Sequence, residues 1–116
     1  MIHLNNKIFI ALLNSDNGEV DESTRFYYYQ DKDVIWADYS GIEIIKGHLI
    51  GKQLADGTLD FRYHHINKSG EIKIGKCVSE IIELEDGRLK LYEKWQWLCD
   101  DMSEGKSELI EVKKEI

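Results

Sequence analysis

The sequence contains no proline, only two cysteines and no long apolar run. A chain without proline keeps its backbone N–H groups available for strand pairing, which fits β-structure without proving it. Cys77 and Cys99 lack CxxC spacing, so we expect no metal site and two reduced, buried thiols. The apolar run at residues 8–13 is too short for a signal peptide, and we therefore predict a cytoplasmic protein.

Basic residues are also scarce relative to acidic ones. The chain has 22 acidic and 15 basic residues, for a formal charge of −7. This charge should repel nucleic acid phosphates and anionic lipid surfaces, and the lysines stand singly between acidic residues instead of forming a basic stripe. We expect neither a nucleic acid nor a membrane partner.

Length and composition favour one soluble globular domain spanning residues 1–116. At 42% hydrophobic and 32% charged residues, the chain is too apolar for disorder and too polar to span a membrane. A domain of this size buries roughly two thirds of the surface that its unfolded chain exposes, so it can form a core without disulfides.

Turn signals recur along the whole chain and imply eight strands. Glycine supplies the positive φ that tight reversals need, and Asp or Asn tolerates it. The seven signals are Asp16-Asn17-Gly18, Asp31-Lys32-Asp33, Ser40-Gly41, Asp56-Gly57, Lys68-Ser69-Gly70, Asp86-Gly87 and Ser103-Glu104-Gly105. The strands are predicted at residues 7–14, 24–30, 34–39, 42–53, 58–66, 71–82, 88–99 and 107–113.

Nearly perfect alternation of apolar and polar residues supports this assignment in two segments, residues 58–65 and 88–97. Every connection is short enough for a hairpin, which excludes crossover helices and parallel pairing. We predict an all-β fold, an antiparallel up-and-down meander closed as a barrel, because closure removes the exposed sheet edges. A two-layer β-sandwich is the alternative.

The predicted seventh strand carries a carboxyl group on its apolar face. Glu93 shares that face with Leu89, Leu91, Trp95 and Trp97. A buried carboxylate must find a hydrogen-bond donor or stay protonated, since an unpaired buried charge is very unfavourable.

His65 and Tyr63, on the predicted inward face of the fifth strand, are the expected donors to Glu93. Glycines on one face of the fourth strand, where Gly47 and Gly51 alternate with Ile45 and Leu49, should leave room inside the barrel. Aromatic walls would then be supplied by Tyr28, Tyr39, Tyr63, Trp95 and Trp97. The alternative is that Gly47, Gly51 and Gly75 mark bends or bulges needed for closure and that Glu93 and His65 form a satisfied structural network.

Several segments resemble a family of short, uncharacterised bacterial proteins across nearly the whole chain. They are Tyr39-Ser40-Gly41, residues 46–51, residues 59–67, Gly75-Lys76-Cys77 and residues 93–97. Members often carry the label N-acetylglutamate synthase, and the pattern is also similar to avidin-like and lipocalin-like barrels. The barrel resemblance implies the fold, but no biotin-binding residue can be matched position by position.

Acetyltransferases of the usual kind need a glycine-containing loop at a helix start, whereas the glycines here stand at turns or singly in strands. We therefore expect a binding protein more than an enzyme, with no cofactor. The predicted ligand-binding residues are Glu93, His65, Tyr63, Tyr39, Trp95 and Trp97.

Two alternatives stay open. One is a filled barrel that forms a homo-oligomer through outward residues such as Trp36, Ile50 and Leu98. The other is a lipocalin-like enzyme in which Glu93 and His65 transfer protons.

Overall fold

Eight antiparallel strands close into a barrel in chain order in the computed structural model, which describes residues 1–113. The strands are β1 (Lys7–Asn14), β2 (Arg25–Asp31), β3 (Val34–Ser40), β4 (Ile44–Gln53), β5 (Leu59–Asn67), β6 (Ile72–Glu83), β7 (Leu89–Trp97) and β8 (Glu104–Glu111). The meander and its closure are confirmed, and the sandwich is excluded. The predicted domain extends through residues 114–116, which lie outside the described residues.

Closure results from pairing of the first and last strands. Ile10 of β1 lies opposite Ile110 of β8, and every other strand pairs with its neighbours in the chain. No helix within residues 1–113 is long and apolar enough to cross a membrane. The period-two alternation holds in β5 and β7, so the predicted inward faces of these two strands are the inward faces of the barrel.

Strand boundaries agree with the prediction to within three residues, but the last reversal was placed wrongly. The chain turns between Leu98 and Ser103, where Asp100 and Met102 adopt positive φ, and β8 already begins at Glu104. The turn predicted at Ser103-Glu104-Gly105 is therefore wrong, because its glycine lies within the strand.

A β-bulge in β4 changes which residues face inward. The register shifts between Ile44 and Lys46, so Ile44 is buried while Ile45 is 62% exposed. The expected shared face of Ile45 with Gly47 is therefore wrong at Ile45, because the extra residue of a bulge inverts the alternation before it. A second register shift lies in β1 between Ala11 and Leu13.

The residues that precede β1 close the end of the barrel at which β1 begins. Leu4 is fully buried there, and its backbone N–H donates to Gln30 Oε1 at 2.8 Å. Gln30 Nε2 in turn donates to Gln53 Oε1, and Gln53 Nε2 donates to the carbonyl of Ile2, both at 2.8 Å. Two buried amides thus fix the segment over the core.

The opposite end is covered by residues 15–24, the connection between β1 and β2, which we call the strap. Within it, Asp21 and Thr24 form a local turn, and Thr24 is fully buried. Both cysteines are free, but only Cys77 is buried. The expectation of a buried Cys99 is wrong, because that residue lies past the end of β7 in the final turn and is half-exposed.

Candidate functional site

The six residues predicted to bind a ligand line one cavity inside the barrel, at the end that the strap covers. The cavity has a volume of about 40 Å³. Its walls include Glu93, His65, Tyr63, Tyr39, Trp95 and Trp97. Inward positions of β3, β5 and β7 supply these side chains, and all of them are buried except Tyr63, which is partly exposed.

Aromatic side chains of the cavity wall lie directly opposite glycines on neighbouring strands. Tyr39 pairs with Gly47, and Tyr63 pairs with Gly75. A Cβ atom at Gly75 would come within 2.2 Å of the Tyr63 ring, and one at Gly47 within 2.4 Å of Tyr39. The glycines therefore accommodate aromatic rings that lie flat across the next strand.

This arrangement corrects both interpretations of the inward glycines. Gly47 and Gly51 do not leave space for a ligand, because the Tyr39 ring lies against Gly47, and the Asp60 carbonyl with Cα and Cβ of Phe61 lies against Gly51. They do not mark bulges either, since the strand register runs without a shift through Gly47, Gly51 and Gly75. Gly105 plays the same part opposite Trp95.

The rings form a continuous wall from the strap towards the centre of the barrel. Trp97 contacts His65 edge-to-face at a centroid distance of 5.8 Å and Trp95 at 5.6 Å. Tyr63 stacks beside His65 at 6.5 Å. Such pairs restrict one another's rotation, so the wall is a preorganised apolar surface.

Glu93 is buried on β7, and its carboxyl group has one hydrogen-bond partner among the described residues. Ser107 Oγ donates to Glu93 Oε1 at 2.8 Å. Desolvation by burial raises the pKa of Glu93 to about 7, although the Ser107 hydrogen bond acts in the opposite direction. The expectation that His65 or Tyr63 donates to Glu93 is wrong, because both ring nitrogens of His65 bond elsewhere and Tyr63 Oη lies 3.5 Å from the carbonyl of Gln96.

Two further hydroxyl groups near Glu93 lack partners. Among residues 1–113, the buried hydroxyls of Tyr28 and Ser79 have no hydrogen-bond partner. Ser79 lies opposite Glu93 in the β6–β7 register. Burial raises the pKa of Tyr28 well above its ordinary value, and negative charge on Glu93 adds to the effect. The centre of the barrel thus combines an apolar wall with polar groups whose bonding capacity is unused.

His65 belongs to a separate network at the mouth of the cavity. Tyr39 Oη lies 2.9 Å from its Nδ1, and Glu19 Oε1 lies 2.7 Å from its Nε2. A neutral imidazole satisfies both contacts if Tyr39 donates to Nδ1 and the Nε2 proton points to the carboxylate. Burial lowers the pKa of His65, against the opposing influence of Glu19, which is consistent with that neutral form.

The strap residues at this mouth were not identified from the sequence as site residues. Gly18, Glu19 and Val20 line the cavity together with Asn14 at the end of β1. The Asp16-Asn17-Gly18 signal was interpreted only as a reversal. The available hint was length, because a ten-residue connection exceeds what a hairpin turn needs, and long loops often serve a site.

Within residues 1–113, no three His, Cys, Asp or Glu side chains are grouped closely enough to hold a metal ion. The outward residues named as contact anchors differ in exposure. Ile50 is 53% exposed, whereas Trp36 is partly covered by Tyr29 at a centroid distance of 6.0 Å, and Leu98 is half-buried.

A family model for avidin-like proteins matches residues 2–112, almost the whole chain. The chain belongs to the avidin-like family. The resemblance found in the sequence is therefore confirmed for the barrel. No curated protein and no solved structure shows a significant match to this avidin-like chain.

Proposed function

We propose that this avidin-like barrel binds a small organic molecule in the cavity beneath the strap. The observation that carries the proposal is the combination of a preorganised aromatic wall with a buried, incompletely bonded carboxyl group at Glu93. Ligand pockets commonly pair a mostly apolar lining with a few polar groups that fix orientation. Glu93, His65, Tyr63, Tyr39, Trp95 and Trp97 are the residues proposed to contact the ligand.

The size of the cavity determines how a ligand enters. A volume of about 40 Å³ holds water molecules, whereas pockets for drug-sized ligands measure roughly 300–1,000 Å³. Entry of a larger molecule therefore requires displacement of the strap, whose Glu19 and Val20 lie across the mouth. The glycine-paired rings are poor candidates for movement because each fills the space above a neighbouring strand.

Native mass spectrometry of protein purified from its source cells tests this function. The expected result is a co-purifying small mass that is retained by wild type and lost on filling the cavity. Leu49→Trp fills it, and Cys77→Met is a milder filling change, since both side chains line the cavity. Ile50→Trp is the matched control, because the adjacent residue points outward. Loss of the small mass in Ile50→Trp, or its absence from folded wild type, contradicts the proposal.

A second candidate function is association of barrels through their outer walls. Ile66 and Ile72 lie opposite each other in the β5–β6 register, Ile74 follows on the same face, and all three are exposed. Adjacent exposed isoleucines favour contact with an apolar surface. Light scattering tests a homo-oligomer formed in this way. A monomer at all concentrations contradicts it, and so does an oligomer that survives Ile72→Lys.

A further inference from the structure

Four hydrogen bonds at the cavity mouth run from donors of the barrel to acceptors of the strap. Asn14 Nδ2 donates to the carbonyl of Val20 at 2.8 Å, and Trp97 Nε1 donates to the carbonyl of Asn17 at 3.0 Å. Glu19 receives the other two contacts through its carboxylate. At the cavity the barrel thus supplies N–H donors and the strap supplies acceptors, whereas beside β8 the strap is the donor, since Asn17 Nδ2 donates to Ser103 Oγ and to the carbonyl of Glu104.

Glu19 accepts two of these hydrogen bonds through one carboxylate group. Its Oε1 lies 2.7 Å from His65 Nε2, and its Oε2 lies 2.9 Å from Asn67 Nδ2. Each carboxylate oxygen therefore has its own donor. The Glu19 side chain remains 25% exposed while that of His65 is 1% exposed, so the carboxylate reaches from the surface into a buried pair of donors.

The two donors cannot easily reverse their roles. Asn67 Oδ1 accepts the backbone N–H groups of Ser69 at 3.1 Å and Glu71 at 2.9 Å, which fixes the amide with its NH₂ group towards Glu19. His65 Nε2 faces the Glu19 carboxylate, which can only accept, so the neutral ring carries its proton on Nε2 and its Nδ1 accepts from the Tyr39 hydroxyl at 2.9 Å. The Asn67 amide is thus oriented independently of Glu19, and His65 Nε2 can donate in the same way to any other carboxylate that takes the position of Glu19.

We propose that this mouth binds the carboxylate of a small molecule with an apolar body, and that Glu19 occupies the same donors as an internal competitor. The inference rests on the proposed function, since it assigns a ligand class to that cavity. The ligand carboxylate replaces Glu19 at His65 and Asn67, and its apolar body lies along Trp97 and Trp95.

The mouth distinguishes a carboxylate from a neutral head group through the direction of its N–H groups and not through an excess of positive charge. Lys73 lies opposite His65 in the β5–β6 register, but Asp100 and Glu71 both pair with it. A neutral amide of the same shape presents one oxygen and one NH₂ group, so it would set a donor against one of the two barrel donors. Leaving a buried donor unpaired in this way disfavours the amide.

Phenylacetate and phenylacetamide are suitable probes because they share a body and differ in the head group. Isothermal titration calorimetry compares wild type, Glu19→Ala, and Glu22→Ala, an exposed strap residue that serves as the matched control. Glu19→Ala removes the internal competitor and should strengthen phenylacetate binding about tenfold or more. This factor corresponds to the free energy of one charge-assisted hydrogen bond, which the ligand no longer has to displace. Phenylacetamide should bind more weakly than phenylacetate to every variant.

Acetate provides a second measurement on the same variant. Glu19→Ala deletes a methylene and a carboxylate, a fragment of acetate size, so free acetate should compete with phenylacetate in Glu19→Ala. Circular dichroism checks that the barrel persists. If Glu19→Ala fails to fold, Glu19→Gln, which keeps the side-chain shape, takes its place with the same expected preference for phenylacetate.

Equal affinity for phenylacetate and phenylacetamide overturns the carboxylate assignment while leaving a cavity-binding function intact. Unchanged phenylacetate affinity in Glu19→Ala, or a gain of the same size in Glu22→Ala, overturns the competitor role. Absence of binding by both probes in every folded variant overturns the inference as a whole. The proposed function is then judged separately by the co-purifying mass.

Discussion

Substituting Glu93 by Gln should remove a pH dependence of stability that burial imposes on the barrel. The pKa of Glu93 rises from 4.5 to about 7 in the folded protein. The folded state therefore holds a proton that the unfolded state releases between these two pH values. Because the folded state binds more protons there, the contribution of Glu93 to stability is full below pH 4.5 and declines as the pH rises to 7.

The size of the effect follows from the shift. A change of one pKa unit corresponds to about 1.4 kcal/mol, so the free energy of unfolding should fall by about 3 kcal/mol from this residue alone. Glu93→Gln keeps the side-chain shape and an oxygen that accepts from Ser107, but it does not ionise. The variant should match wild type near pH 4 and exceed it by about 3 kcal/mol at pH 8.

Urea denaturation of both proteins across this range measures the difference directly. Other groups titrate as well, and the lowered pKa of His65 means that its contribution is lost as the pH falls through that pKa. Subtracting the wild-type curve from that of Glu93→Gln cancels these shared terms. Ser107→Ala removes the donor that favours the ionised form of Glu93. In this variant the free energy of unfolding should therefore decline over a higher pH range than in wild type. A wild-type minus variant difference that is constant from pH 4 to pH 8 would refute the reasoning.

Three further changes test the packing and the mouth. Gly75→Ala places a Cβ atom within 2.2 Å of Tyr63 and should lower the free energy of unfolding by about 1–3 kcal/mol; a loss below about 0.5 kcal/mol on denaturation contradicts the pairing of glycine with the ring. Leu4→Ala opens the closed end of the core and should lower stability by about 2–5 kcal/mol by the same measurement, and a neutral result contradicts the closure assigned to Leu4. Tyr39→Phe removes the partner of His65 Nδ1 and should lower stability by about 1 kcal/mol while changing the ¹⁵N shift of Nδ1 in NMR; an unchanged shift contradicts the hydrogen bond between Tyr39 and His65.

The fold could be predicted from the sequence because period-two alternation and glycine turns are local signals. Residues 88–97 alternate in the chain, and β7 alternates in the structure with the same residues inward. The bulge in β4 was not predictable on this basis. Nothing in the Ile44-Ile45-Lys46 sequence shows that one residue is extra, since a bulge is defined against the partner strand.

The candidate site was predictable only where it lies on strands. Glu93 and His65 were found because their strands alternate, but their partners were assigned wrongly. Ser107 lies across a strand pairing and Glu19 on a connection, and neither position follows from residue periodicity. The pairing of Gly75 with Tyr63 likewise depends on register, which the exact length of each turn determines.

The wall and the mouth of the cavity are stabilised by different interactions, and this difference predicts which changes affect binding alone. The wall depends on rings packed over glycines, so Gly75→Ala should disturb stability and binding together. The mouth depends on a partly exposed carboxylate, Glu19, whose removal leaves the core intact but frees His65 Nε2 and one N–H group of Asn67, whose Nδ2 also donates to Glu71. A net loss of stability in Glu19→Ala should therefore be recovered on adding phenylacetate, because a ligand that binds only the folded state raises the free energy of unfolding. No such recovery is expected for Gly75→Ala beyond that of wild type, because its defect lies in the ring packing and not at the donors that the ligand occupies.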